Sequence, residues 1–374
     1  MENATKQTIH GAESKFTCHS ERSEESLFRL AGRPKGQERF FATLRMTCKL
    51  TYNAVHRSSC DPRVLLRVSV PLCLIFHAFL SLGAQASAGP AIPTFNGQRA
   101  FDDIKHLVDF GPRPVGSKAL SDSRRWIISQ LKEAGCQQVE EDSFTGDTPL
   151  GPIPMANVIA RIPGASPSVI MLAGHYDTLR METRRFVGAN DGGSSAAFLL
   201  EMARLLAHRK NPVTYWLVFF DGEEALRQWT ATDSDYGSRH LASKLAANGE
   251  LSRVKAMILV DMIGDANLDV FRDDDSTAWL EQMVLDSARH LGLAKYFDGP
   301  ETAIDDDHRP FVNAGVSAVD LIGIIGPTDA THTFGIYWHT PKDTPNKCSP
   351  LSLSTVGRVV SGTLEELESS ARVK

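Results

Sequence analysis

The chain has 374 residues, 42% of them hydrophobic and 23% charged, which allows one large or two ordinary globular domains with a sizeable core. The formal net charge of -5 is unevenly spread: residues 1–70 carry 12 Lys+Arg against 7 Asp+Glu, leaving 28 against 38 for the rest. An acidic globular part argues against nucleic acid as a partner, since that binding neutralises phosphates with a basic surface.

Residues 1–60 are polar, lack sustained periodicity and hold scattered cysteines. They read as a spurious or disordered extension, with the true start near residues 60–70. Arg63 and Arg67 then precede an apolar run over 68–80, followed by small residues with Ala84-Gln-Ala86 and Ala86-Ser-Ala88. That order reads 61–88 as a bacterial-type signal peptide and the chain as exported, periplasmic or secreted. The run is short for a spanning helix, so no stable anchor is expected after cleavage; an uncleaved anchor is the alternative. Only Cys136 and Cys348 would then remain, too few for a disulfide framework, with a single bridge between them left open.

From residue 97 to 370 the pattern reads as one domain. Helix 98–110 is ended by Gly111-Pro-Arg-Pro114, and helix 120–134 has Ser121 or Asp122 as its N-cap. Residues 137–144 and 155–162 read as strands. Strand 168–174 ends on His175-Tyr-Asp177, and Gly192-Gly-Ser194 opens an apolar helix to 206. Strand 213–220, helix 236–247, strand 254–261, helix 276–291, strand 316–322 and helix 351–367 follow. The alternation predicts an α/β fold in three layers, with a mainly parallel (mixed) central sheet and helices on both faces.

The polar residues fall where these strands end. His175, Asp191, the pair Glu223-Glu224, Asp261 and Trp338-His339 each follow an apolar strand or the loop after it. In a parallel sheet those ends share one edge, where ligands bind. Imidazole with carboxylate suits zinc better than the all-oxygen calcium or magnesium sites. Each residue has an ordinary alternative: a hydrogen-bonded core histidine, a turn at Asp191, an acidic helix start after Phe220. The series as a whole predicts a divalent metal with a general base beside it.

In this order the chain resembles the zinc aminopeptidase and glutaminyl cyclase superfamily (peptidase family M28-like), over about residues 101–367. Asp221-Gly-Glu-Glu-Ala-Leu-Arg-Gln-Trp229, Asp235-Tyr-Gly-Ser-Arg-His-Leu-Ala242, Ile304-Asp-Asp-Asp-His-Arg-Pro-Phe311 and Trp338-His-Thr-Pro-Lys-Asp343 are similar to the glutaminyl-peptide cyclotransferase branch. The resemblance implies an acyltransferase that converts the N-terminal Gln of peptides to pyroglutamate and releases ammonia. It implies one zinc on Asp191, Glu224 and His339, with a fourth position open. Glu223 becomes the proton shuttle, Asp261 and Asp306 its acidic partners, and Trp229 and Trp338 pocket walls. Substrates would be peptide or protein N-termini, and a monomer is expected. Asp221 reads as structural.

Two alternatives stand beside this reading. A secreted di-zinc aminopeptidase would add His175 and Asp261 as a second site, with Asp191 bridging. A catalytically inactive binding domain would keep the fold alone. Two departures from the branch are visible: Asp320, where animal cyclotransferases tend to carry His, and a long segment 323–337. In that segment His332 reads as a solvated loop residue, or else as a pocket contact.

Overall fold

The computed structural model describes residues 90–329 and 332–370; the expectations for 1–60 and 61–88 lie outside them. Six strands form one sheet, in the order β1 (Gln138–Thr148), β2 (Gly151–Ile162), β4 (Val213–Phe220), β3 (Ser166–His175), β5 (Val254–Asp261), β8 (Ala318–Ile322). β3, β4, β5 and β8 run parallel, while β1 and β2 are antiparallel additions at one side. The sheet is therefore mixed, with a parallel half that carries the strand ends singled out above. Two short pieces, β6 (Arg272–Asp273) and β7 (Glu301–Thr302), pair separately.

Period-2 alternation makes the layers. Ile170, Leu172, Leu217, Phe219, Ile258 and Val260 point to one face. There they meet α1 (Gly97–Asp109), α2 (Lys118–Glu133), α3 (Gly193–Leu206), α5 (Ala278–His290) and α7 (Pro350–Ser369). Met171, Ala173, Trp216, Val218, Met257 and Leu259 point the other way, towards α4 (Tyr236–Asn248) and α6 (Arg309–Asn313). Strands covered on both faces must be apolar throughout, which is why β4 reads as an unbroken hydrophobic run. Among the described residues no helix is long and apolar enough to cross a membrane.

Several boundaries differ from expectation. The N-cap of α2 is Ser117, not Ser121 or Asp122, and the helix starts at Lys118. Ser117 follows Gly116, whose φ of +73° turns the chain, and its hydroxyl accepts the Leu120 amide. Ser121 and Asp122 already lie inside the first turns, where Ser121 Oγ bonds back to the Ser117 carbonyl and Asp122 pairs with Lys118. β1 and β2 run longer than predicted, because the hairpin ladder continues from Phe144↔Met155 to Thr148↔Gly151 through a stretch with little hydrophobic patterning. Cys136 and Cys348 are both buried and free, so the bridge left open by the sequence is not formed.

Candidate active site and metal centre

Strand register brings the site together. His175 is paired with Phe220, and Asp261 with Ile322, all at the carboxyl ends of parallel strands. Asp191 sits at the turn into α3. The next residue, Gly192, has φ +74°, and a Cβ there would lie 2.4 Å from the Asp177 carbonyl oxygen and 3.0 Å from His175 Cε1. Only glycine lets the chain pass that close to His175.

His339 arrives by a longer route, 17 residues beyond the end of β8. The segment folds back on itself: the Ile325 amide donates to the Phe334 carbonyl (2.8 Å) and the Tyr337 amide to the Ile325 carbonyl (3.2 Å). His339 then stacks on Trp338, with ring centroids 4.0 Å apart, and meets the edge of Phe186. Its φ of +50° is rare for a residue with a Cβ. The other two such non-glycine residues among those described, Asp235 (+49°) and Met262 (+50°), lie beside the same site. Strained backbone collected in one place is a mark of functional geometry.

Two sets of ligand-type atoms, buried except for the half-buried His339, share Asp191. In the first, His339 Nε2 lies 3.4 Å from Asp191 Oδ2 and 3.3 Å from Glu224 Oε2. In the second, His175 Nε2 lies 3.4 Å from Asp191 Oδ1 and 3.0 Å from Asp261 Oδ1. The sets differ in how well they are satisfied. Asp191 Oδ2 and both oxygens of Glu224 have no hydrogen-bond partner. Asp261 Oδ1, by contrast, also accepts the Met262 amide (2.8 Å) and faces Ser195 Oγ (3.3 Å). Buried charge without partners is costly, so the first set fits a bound cation better than an empty space. Its donor types, two carboxylates and one imidazole, suit zinc with one position left open.

Glu223 lies at the same edge, its Oε2 3.6 Å from His175 Nδ1, and groups with Asp235 and Asp306 in a third buried cluster. Burial pushes Glu223 well above the usual carboxylate range; His175 opposes this, while Glu224, Asp306 and Asp261 add to it. Asp306 is raised by burial and then by Asp320, so the departure at position 320 adds a further carboxyl to the buried acidic cluster beside Glu223. Asp221 turns away from the centre: its Oδ2 accepts the Ala156 amide at 2.7 Å. His332 pairs with Asp329 on the surface of its loop.

The site opens into a cavity of about 500 Å³, with Trp229, Trp338, Phe334, Ile304 and Leu179 on its walls and Glu223, Glu224, Asp191 and His339 exposed to it. Trp229 Nε1 donates to Asp305 Oδ2 at 3.1 Å.

Three residues without an assigned role in the sequence reading hold this arrangement. Asp177 accepts the backbone amides of Glu223 (3.2 Å) and Glu224 (3.4 Å). Asp343 accepts those of Asn190 (2.9 Å) and Asp191 (3.0 Å). Arg113, fully buried, donates to the carbonyls of Tyr176, Leu107, Gly111, Val187 and Gly188, tying the end of α1 to both ends of the 176–192 loop between β3 and α3. The only signals in the sequence were the His-Tyr-Asp177 and Trp338–Asp343 segments and an arginine between two prolines.

This concentration of buried carboxyls sets a pH dependence. Burial pushes Asp221, Asp235 and Asp343 up to about 7, with Asp177, Asp305 and Asp191 respectively adding to the shift. An unfolded Asp titrates near 3.9. Between about pH 4 and 7 the folded state therefore binds more protons, and stability falls as pH rises. His339, held up to about 10 by Glu224 and Asp191 against the effect of burial, acts in the same direction from about pH 6.5 upwards. The metal-free protein is expected to need more urea to unfold at pH 5 than at pH 8. Equal midpoints, or the reverse order, would contradict these shifts.

The fold and the site together define a class, and comparison with known proteins agrees. The model of peptidase family M28 matches residues 157–364, more than half of the chain. A mouse (Mus musculus) glutaminyl-peptide cyclotransferase-like protein is 31% identical over 282 residues, 68% of this chain and 72% of the relative. The crystal structure of an Acidobacteriales bacterium glutaminyl cyclase is 41% identical, with TM-score 0.71, covering 76% of this chain and 99% of that one. A Zn-dependent exopeptidase from Parabacteroides distasonis is 26% identical, with TM-score 0.66, covering 73% and 99%. The chain belongs to peptidase family M28 and, within it, to the glutaminyl-peptide cyclotransferases.

Proposed function

We propose that this protein cyclises the N-terminal Gln of peptides to pyroglutamate, using one zinc ion held by Asp191, Glu224 and His339. One observation carries the reading: three buried carboxylate oxygens of Asp191 and Glu224 have no hydrogen-bond partner and converge on His339 Nε2 inside a tryptophan-walled cavity. When bound, the ion supplies Lewis-acid polarisation of the γ-carboxamide carbonyl.

The protein's own groups do the rest. Trp229 and Trp338 flank the Gln side chain and restrict its rotors, so that the α-amine meets the γ-carbon already oriented. The new C–N bond closes the ring and the old C–NH₂ bond breaks, releasing ammonia. Glu223 takes the proton that the amine loses and returns it to the departing nitrogen. Its raised pKa brings it towards the range that both transfers require. Asp261 and Asp306 stand as its acidic partners. Export through 61–88 and a monomeric state belong to the same proposal.

The di-zinc peptidase reading would add a second ion on His175, Asp191 and Asp261, where Asp261 Oδ1 already accepts the Met262 amide. Zinc titrated into metal-free protein decides between them, with Gln-Ala and Leu-Ala as substrates. Release of ammonia from Gln-Ala that saturates at one equivalent is expected. Free leucine from Leu-Ala, rising to a second equivalent, would overturn the proposal.

A further inference from the structure

We propose that Asp233 is the positioning residue that fixes the aromatic wall of the pocket, and through Trp229 sets how tightly an N-terminal Gln is held. This rests on the reading of the cavity given above.

Between the ligand Glu224 and helix α4 the chain runs through residues 225–235 without strand or helix pairing. One carboxylate organises it. Asp233 Oδ1 accepts the Leu226 amide (3.0 Å) and the Tyr236 hydroxyl (2.9 Å), and Oδ2 accepts the amides of Arg227 (2.9 Å) and Gln228 (3.0 Å). The Asp233 amide in turn donates to the carbonyl and hydroxyl oxygens of Thr230. Asp233 is 4% exposed. Three successive backbone N–H groups and one hydroxyl thus converge on a single buried anion, and the loop is drawn around it.

Trp229 is the next residue after the three pinned amides. Its backbone position is set by the Asp233 ring of bonds, while its indole is tied from the other side to Asp305. Asp233 does not line the cavity; Arg227, Gln228 and Trp229 do, and of these Trp229 is the aromatic one. Charge-assisted bonds of this kind are about twice as strong as neutral ones. Asparagine cannot replace them, because at either oxygen's place its amide nitrogen would face at least one backbone N–H with a donor of its own.

The test uses the full chain loaded with zinc and a Gln-Ala substrate. Asp233→Asn is expected to raise KM about tenfold and to lower kcat by a smaller factor, with zinc affinity unchanged, since a displaced wall both holds and orients the Gln side chain less well. In a Trp229→Ala background the same substitution is expected to add nothing, because its effect passes through the indole. Should Asp233→Asn not fold, Tyr236→Phe removes the one tie from α4 to the carboxylate and is expected to raise KM in the same direction by about twofold. An unchanged KM, or an Asp233→Asn penalty that persists without Trp229, overturns the assignment while the unsubstituted protein still makes pyroglutamate. No pyroglutamate from the unsubstituted protein overturns the cyclase reading itself, and this inference with it.

Discussion

Glu223→Gln is expected to lower kcat by about 10²–10⁴-fold, the range for removing a general acid–base, with fold and zinc binding intact. The carboxamide has nearly the same shape, and the backbone amide of residue 223 stays bound to Asp177 Oδ1. What is lost is the ability to take a proton at an atom that sits 3.6 Å from His175 Nδ1 and faces the cavity. No neighbour replaces it directly: Asp306 is more buried than Glu223 and is pushed up by burial and Asp320, while Asp261 is engaged with His175 and the Met262 amide. Steady-state rates on Gln-Ala, with zinc content measured on the same sample, check the prediction. Retained turnover would remove Glu223 from the mechanism.

His339→Ala is expected to weaken zinc binding by more than the 10–100-fold typical of outer-shell partners, because it deletes one of the proposed ligands outright. It also leaves Asp191 and Glu224 facing each other without the imidazole that lies 3.3–3.4 Å from both. That imidazole holds Asp191 below its ordinary value despite burial. The variant should therefore lose metal to a weak chelator and lose turnover in parallel, with added zinc restoring activity only at much higher concentration. Unchanged zinc affinity would exclude His339 as a ligand.

Most of the architecture was legible because both faces of the parallel strands are buried: unbroken apolar runs such as Val213–Phe220 announce strands, and the polar residues after them announce a shared edge. His175, Asp191, Glu223, Glu224 and Asp261 could be read in this way. His339 is less accessible to such reasoning, since its place depends on a long segment folding back through Ile325, Phe334 and Tyr337. Asp177, Asp343, Arg113 and Asp233 were not readable as site residues, because they act on backbone groups. Asp343 and Asp191, for example, meet across 152 positions. A carboxylate that accepts amide hydrogens leaves no periodicity or ligand spacing in the sequence. The start of α2 was misplaced for a related reason: a serine after a left-handed glycine outcompetes a later serine and aspartate as N-cap, and both patterns are common.

Ring closure, not peptide cleavage, is the reaction proposed for this site. The most direct measurement is the mass spectrum of a short peptide with N-terminal Gln after incubation with the zinc-loaded protein. A product of unchanged length, lighter by one ammonia and formed far more slowly with Glu223→Gln, is expected. A peptide shortened by its first residue, with free glutamine beside it, would contradict the account.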